Sequence, residues 1–344
     1  MQPQADNLIG ESNSFVSVLE HVSQIAPLNK PILIIGERGT GKELIAERLH
    51  FLSSRWDQEY VKLNCAALNE SLLESELFGH EAGSFTGSGK RRAGRFETAD
   101  KGTLFLDELA NTSGLIQEKL LRVIEYGEFE RVGGSQSVKV DVRLVAATNE
   151  DLPTLAERNE FRADLLDRLA FDVITLPPLR ARKDDIMLLA DSFAVKMARQ
   201  LGHPVFSGFS QHAYETLMDY AWPGNVRELK NAVERSIYRQ NEPDFPIQQI
   251  ILDPFDSPWR PDQITRTQDR QGTATESSLI NTGPSYPYSL KQHLQDYETE
   301  LLNTALEQHQ FNQKKTAESL SLTYHQLRGI MKKYNLLDGT SASE

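Results

Sequence analysis

The residues Gly36, Glu37, Arg38, Gly39, Thr40, Gly41, Lys42 and Glu43 are spaced to hold a polyphosphate. Glycines let the backbone turn sharply, so that its N–H groups cradle phosphate oxygens. The N-terminus of the next helix adds a favourable partial charge. Lys42 would then reach the β- and γ-phosphates of ATP. The apolar run Pro31-Ile-Leu-Ile-Ile35 precedes the loop and a helical pattern follows it, which is the setting such a loop requires. Glu43 stands where Ser or Thr usually ligates Mg²⁺, so the metal must lean on water and on carboxylates elsewhere in the chain.

Those carboxylates are at hand in Thr103-Leu-Phe-Leu-Asp107-Glu108, an apolar run ending in paired acids. Asp107 can hold Mg²⁺ through its water shell, and Glu108 can polarise the attacking water. A pair of solvated acids at a strand end is the plainer reading, and the phosphate loop upstream favours the chemical one. Asn149 ends another apolar run and can orient the lytic water or sense the γ-phosphate, though Asn is also a common turn residue. Asn64 ends a further run, from where it could hold Glu108 inactive through a hydrogen bond. Arg162 and Arg168 lie on a helical stretch. Surface arginines usually have no special role; the one worth weighing is an arginine finger reaching a neighbour's γ-phosphate.

A nucleotide switch needs none of Glu74-Ser-Glu-Leu-Phe-Gly-His-Glu-Ala-Gly-Ser-Phe-Thr-Gly-Ser88. After the apolar pair Leu77-Phe78, a small-residue loop sets Phe85 and Thr86 between Gly83 and Gly87. Such a loop can hold one aromatic and one hydroxyl away from the body; the plainer reading is an ordinary glycine loop with a buried Phe, and the neighbouring motifs favour the first.

Five segments must position these groups. Residues 1–178 alternate apolar runs with helical patterns. Pro31–Ile35, Tyr60–Asn64, Thr103–Leu106 and Val142–Ala146 read as buried parallel strands of a doubly wound α/β domain. Residues 179–253 are helical in pattern, including Asp185–Arg199, Gln211–Tyr220 and a helix starting near Val226. Residues 254–288, rich in Pro, Ser, Thr and Gln, read as a flexible linker. Residues 289–336 hold a helix with Leu290, Leu294, Tyr297, Leu301 and Ala305 on one face, then two shorter helices, and residues 337–344 form a disordered tail.

The two shorter helices read as a helix–turn–helix. Thr323 and Gln326 form a capping box that starts the second one. From Gln313 to Leu336 five Lys or Arg face one Glu, a basic patch in a chain whose net charge is -12. That overall charge excludes a protein that coats nucleic acid by bulk attraction. Tyr324, His325, Gln326 and Arg328 are placed to enter the major groove, with Lys332 and Lys333 on phosphates. The single cysteine, Cys65, cannot form an internal disulfide and points to a reducing compartment. No signal peptide is evident and the longest apolar run is too short to span a bilayer, so a soluble, cytoplasmic protein is expected.

Together these residues resemble the bacterial enhancer-binding proteins, AAA+ activators of sigma-54 RNA polymerase. The likeness runs from about Leu8 to Leu336. It is carried most specifically by Glu76–Ser88, Phe161-Arg-Ala-Asp-Leu, Leu176-Pro-Pro-Leu-Arg and Trp222-Pro-Gly-Asn-Val-Arg-Glu-Leu. It implies an AAA+ P-loop ATPase domain, a helical lid and a C-terminal Fis-type helix–turn–helix whose first helix supplies a dimer seam. In that family Glu after the P-loop lysine is usual. The resemblance further implies that Arg162 and Arg168 act in trans in a ring, expected to be a hexamer, and that Arg227 is the second sensor closing the lid on nucleotide. Asn64 and Glu108 become a γ-phosphate-linked switch pair. Gly83, Phe85, Thr86 and Gly87 become the tip that touches sigma-54, with Arg131 in a second surface loop, Glu130–Gly134, moving with it. Ser84 and Ser88 replace two alanines of the family loop. The chain is similar to the members that activate a phage-shock, membrane-stress operon. This implies control by phage shock protein A, for which Trp56 is a candidate contact if it does not simply pack on the helix before it. The competing functions are a DNA-translocating AAA+ motor, which should carry basic pore loops, and a DNA-binding repressor switched by ATP.

Overall fold

The computed structural model describes residues 8–84, 90–203, 205–240, 242, 244–257 and 259, and, further on, 298, 299, 301, 302, 304–306, 309, 312–320 and 322–333. The loop tip Phe85-Thr86-Gly87-Ser88, most of the expected linker, the start of the expected seam helix and the expected tail lie outside the described residues. The chain divides into two compact units, Met1–Pro261 and Asp262–Glu344.

The first unit is built on a five-stranded parallel sheet in the order β2-β3-β6-β1-β7. Its strands are β1 (Ile32–Ile35), β2 (Tyr60–Asn64), β3 (Thr103–Asp107), β6 (Arg143–Thr148) and β7 (Val173–Thr175). A short antiparallel hairpin, β4 (Glu128–Glu130) and β5 (Ser137–Lys139), stands apart from it. All six residues of β6 are buried, as are the first four of β3. Unbroken apolar strands of this kind need cover on both faces, and parallel crossovers deliver it as helices. On one face α1 (Asn13–Ile25) and α2 (Lys42–Phe51) bury Phe15, Val22, Ile45 and Leu49 against Ile34, Phe105 and Val145. On the other, Leu33, Leu104 and Leu106 meet α3 (Glu70–Phe78), α4 (Arg95–Thr98), α5 (Gly114–Tyr126), α6 (Leu152–Glu157) and α7 (Ala163–Leu169).

The sheet edge formed by the C-terminal strand ends collects the polar groups. In such sheets a ligand binds there because loops, rather than side-chain layers, close that edge. The P-loop leaves β1, Asp107 ends β3, Asn149 follows β6 and Asn64 ends β2. Parallel pairing sets Asn64 directly beside Asp107.

The lid packs α8 (Asp184–Gln200), α9 (Gln211–Asp219) and α10 (Asn225–Tyr238) around Trp222, which is wholly buried. The Trp222 ring lies edge-on to Tyr220, and its Nε1 donates to the Leu217 carbonyl at 2.8 Å. In the second unit, the helices Gln313–Ser319 and Tyr324–Lys333 share a small core of Leu302, Leu306, Ala317, Leu327 and Met331. Among the described residues no helix is long and apolar enough to cross a membrane.

Candidate functional site

Two glycines shape the phosphate loop. Gly41, the N-cap of α2, has φ 102° and Gly39 has φ 79°, both left-handed conformations that side chains resist. Gly39 has a second reason to lack a side chain, since a Cβ there would lie 2.3 Å from the Gly224 carbonyl of the lid. The lid backbone therefore closes directly onto the loop.

Between loop and lid is a cavity of about 330 Å³. Its apolar walls are Leu8, Ile9 and Phe15 from the N-terminal strap, Leu44, and Leu189, Phe193 and Val226 from the lid. Its polar wall carries six cations, Arg38, Lys42, Arg182, Lys196, Arg227 and Lys230, against the three acids Glu43, Asp107 and Glu108. An apolar end and an excess of positive charge suit a nucleoside triphosphate, whose base is flat and whose phosphates are anionic. Lys42 is buried and donates to the Gly36 carbonyl at 2.9 Å. Burial pushes its pKa down, against the upward pull of Glu108 and Asp107. Burial likewise lowers Arg182, which donates to the Thr40 carbonyl at 3.1 Å and lies over the Phe15 ring.

Arg38, Gly39, Thr40, Gly41, Lys42, Glu43 and Arg227 all line this cavity, whereas Gly36 and Glu37 do not. The Glu37 carboxylate turns to the lid. It accepts from Arg180 Nη1 at 2.9 Å and Nη2 at 2.5 Å, and from Asn225 Nδ2 at 3.0 Å. These bonds, Arg180 first, hold its pKa down to about 2. Asn225 in turn accepts the Leu179 N–H at 2.8 Å, so one buried amide ties P-loop to lid. Sequence reading quoted Arg180 within a motif but gave it no partner. Asn225 likewise stands within a quoted motif without a partner, and Arg182 carries no local signal, because their partners lie far along the chain.

Glu108 sits at φ 55°, a left-handed conformation rare for Glu, with its carboxylate 4.0 Å from Arg38 Nε. Strain of this kind concentrates where a side chain must be aimed. Asn64 corrects an expectation. Its Nδ2 donates to Asp107 Oδ2 at 3.2 Å rather than to Glu108, because strand register makes Asp107 its neighbour. Its own Oδ1 accepts the Ala66 N–H. Asn149 is half-buried after β6, 3.4 Å from Glu150 Oε1. Asp107 faces the cavity with Glu43 and Glu108, so a Mg²⁺ ion there would also need phosphate oxygens and water. No cluster of three or more acidic, His or Cys ligands occurs among the described residues.

Arg162 lines a separate cleft along α5, and Arg168 pairs with Glu125, another residue of its wall. Arg162 is the N-cap of α7 and forks onto Asp164 at 3.0 and 2.7 Å, while Arg168 pairs with Glu125 at 2.7 Å. Both side chains are at least 40% exposed, which leaves their guanidinium groups accessible from outside the subunit.

The surface loops share one base. His80 and Arg92 exchange backbone hydrogen bonds at 3.0 Å, and the Glu81 and Val132 N–H groups bond the Val132 and Gly79 carbonyls. Gly133 packs so closely that a Cβ there would lie 2.5 Å from Ser84 Cβ. Arg131, expected on the surface against sigma-54, is 5% exposed. It bonds Glu97 through Nε at 2.9 Å and Nη2 at 2.5 Å, and Glu81 through Nη1 at 3.1 Å. It clamps the loop base and is not a surface contact.

In the second unit the expected capping box is formed. The Thr323 N–H donates to Gln326 Oε1 at 2.9 Å, and the Gln326 N–H donates to Thr323 Oγ1 at 3.3 Å. His325, Gln326, Arg328, Lys332 and Lys333 are exposed, Tyr324 is half-buried, and Leu327 and Met331 point into the core.

A sigma-54 interaction domain matches residues 8–175, an AAA+ ATPase lid domain matches 180–251, and a bacterial regulatory protein, Fis family, domain matches 293–334. The chain belongs to the AAA+ sigma-54-dependent transcriptional activators, and is an ATPase with a Fis-type DNA-binding domain. It is 59% identical over 336 residues to the Psp operon transcriptional activator of Escherichia coli K12, covering 98% of this chain and all of that protein. It is 52% identical to the Nif-specific regulatory protein of Azotobacter vinelandii over 67% of this chain and 44% of that one. The crystal structure of NtrX from Brucella abortus in complex with ATP superposes with a TM-score of 0.66 at 31% identity, over 96% of this chain and 69% of that one.

Proposed function

We infer that this protein activates a phage-shock operon. It would bind upstream enhancer DNA and use ATP hydrolysis to convert the closed sigma-54 RNA polymerase complex to an open one. Likeness to the Escherichia coli Psp operon activator over that protein's whole length supports the choice of operon.

Subunits form a hexameric ring with ATP between neighbours. Lys42 and the P-loop amides hold the phosphates, and Arg227 reports nucleotide to the lid. Asp107, with the phosphates and water, would hold Mg²⁺, which would supply positive charge beside the transferring phosphoryl group. Glu108 takes a proton from water as the water oxygen bonds the γ-phosphorus and the bond to the β–γ bridging oxygen breaks. Asn149 orients that water. Arg162 and Arg168 of a neighbour stabilise the transferring group.

The observation that carries the coupling is a short path from Asp107 to the loop base. Asp107 bonds Asn64, a single 3-10 turn at Cys65–Ala67 follows, and α3 then runs to Gly79 with Leu73, Leu77 and Phe78 buried. A shift at Asp107 when the γ-phosphate binds or leaves is passed by a packed helix to the loop carrying Phe85 and Thr86, which touch sigma-54. The helix–turn–helix, with Thr323, Tyr324, His325, Gln326, Arg328, Lys332 and Lys333 toward DNA, raises the ring's local concentration at the promoter. Trp56, 62% exposed in a stretch that also exposes Phe51 and Leu52, is the surface assigned to phage shock protein A.

The test is open-complex formation on a sigma-54 promoter, by wild type and Thr86→Ala, with ATP and with a non-hydrolysable analogue. Wild type should open the promoter with ATP alone. Thr86→Ala should keep ATPase and DNA binding and open nothing. Normal activation by Thr86→Ala would remove the mechanism, and promoter opening with the analogue would make ATP a switch only.

A further inference from the structure

The capping box at the start of the helix Tyr324–Lys333 fixes more than a helix end. Gln326 Oε1 accepts from both the Thr323 N–H and the Thr323 hydroxyl, each at 2.9 Å. A backbone N–H can only donate, so it dictates which way the Gln326 amide faces. With both lone pairs of Oε1 engaged, the exposed remainder of the side chain is the Nε2 amino group, two donors and no acceptor.

Glutamine ordinarily reads adenine bidentately, its oxygen accepting from N6 and its amino group donating to N7. Here the oxygen is held by the helix cap. A donor-only group is repelled by the adenine N6 amino group and matches adjacent acceptors, which in the major groove are O6 and N7 of guanine. Gln326 is also well placed in the helix. It lies one residue before Leu327, which is buried in the domain core with Met331, so the helix face bearing Gln326 cannot turn inward.

We propose that Gln326 is a specificity-determining residue that reads guanine, not adenine, because its carbonyl oxygen is committed to Thr323. This rests on the DNA-binding reading of the Fis-type domain. It predicts one guanine per half-site whose recognition depends on Gln326, with roughly tenfold discrimination against adenine there.

Gln326→Glu separates reading from folding. Glutamate keeps an oxygen for the Thr323 N–H and so preserves the cap, while replacing donors by an acceptor. The experiment is binding-site selection from a random duplex DNA pool by the full chain, wild type and Gln326→Glu, at one salt concentration. Binding of both proteins to the wild-type selected site, with guanine and with 7-deazaguanine at the position that depends on Gln326, is measured as well. The expected result is one position per half-site that is guanine for wild type and becomes cytosine, or loses preference, for Gln326→Glu. Removing N7 at that position should weaken wild-type binding severalfold and leave the variant unaffected. The same selected sequence for both proteins, or adenine at the position that responds to the variant, would overturn the proposal while leaving DNA binding intact. Failure of the wild type to enrich any sequence would instead overturn the DNA-binding reading, and this proposal with it.

Discussion

Asp185 is wholly buried on α8 of the lid, yet it holds the chain entering α1, which begins more than 170 residues earlier. Its Oδ1 accepts the Glu11 and Ser12 N–H groups at 2.7 and 2.8 Å, and its Oδ2 accepts the Ser12 hydroxyl at 2.7 Å. Ser12, the α1 N-cap, makes no side-chain cap bond, and Asp185 instead pins the backbone entering the helix, at Glu11 and Ser12, across the domain. Asp185→Ala leaves the buried Ser12 N–H without an acceptor at about 1–3 kcal/mol and the part-buried Glu11 N–H at less, a loss of roughly 3–5 kcal/mol with the cavity included. Asp185→Asn keeps one oxygen for both N–H groups, and its amide can donate to a reoriented Ser12 hydroxyl. Only the charge assistance is lost, about 1 kcal/mol per bond and roughly 2–3 kcal/mol in all. The strap so anchored carries Leu8, Ile9 and Phe15 into the nucleotide cavity, so both variants should raise the KM for ATP, alanine more than asparagine. The assay is urea unfolding followed by the fluorescence of buried Trp222, with ATPase kinetics on the same samples. Alanine within about 0.5 kcal/mol of wild type, or alanine and asparagine equal in both readouts, would refute the reasoning.

Glu108→Gln should bind ATP normally and lose about 10²–10⁴-fold in hydrolysis, measured by single-turnover phosphate release; unchanged turnover would remove Glu108 as the base. Glu37, held at about pKa 2 by Arg180 and Asn225, stabilises the lid contact fully above its ordinary pKa of 4.5, and the effect is lost as pH falls toward 2. The Tm gap between wild type and Glu37→Gln should therefore be constant above pH 4.5 and close toward pH 2, and a gap independent of pH would refute the tether. Arg131→Ala should lower the stability of the ATPase unit by about 3–5 kcal/mol, because Glu97 is left with an unpaired charge. Full stability with activation alone lost would return Arg131 to a partner-contact role. Asn64→Ala should preserve ATP binding and weaken the link between hydrolysis and promoter opening, read as ATP consumed per open complex; an unchanged ratio would exclude the Asp107–Asn64 path.

Strands β1, β3 and β6 were legible because each is a nearly continuous apolar run, a pattern that two-sided burial imposes on the sequence itself, while the edge strand β2 was legible from Tyr60, Val61 and Leu63 around an exposed Lys62. β7 has only three residues, and the β4–β5 hairpin is short and mostly polar, so neither left a comparable trace. The lid helices announced themselves through apolar spacing, and α10 through Trp222-Pro-Gly ahead of it. The capping box of Thr323 and Gln326 was readable because both partners lie within one helical turn.

What the sequence determined is whatever contiguous residues settle among themselves: the phosphate loop, which needs glycines at positive φ; the paired acids at the end of an apolar strand; the small-residue loop after Phe78; the helix cap near the C-terminus. Tertiary structure decided the partners. Strand register gave Asn64 to Asp107 and not to Glu108, packing buried Arg131 against Glu97, and lid closure joined Glu37 to Arg180 and Asp185 to Ser12. These pairs lie between 34 and 173 residues apart. No local pattern encodes them, because their energies depend on how whole helices and strands are stacked.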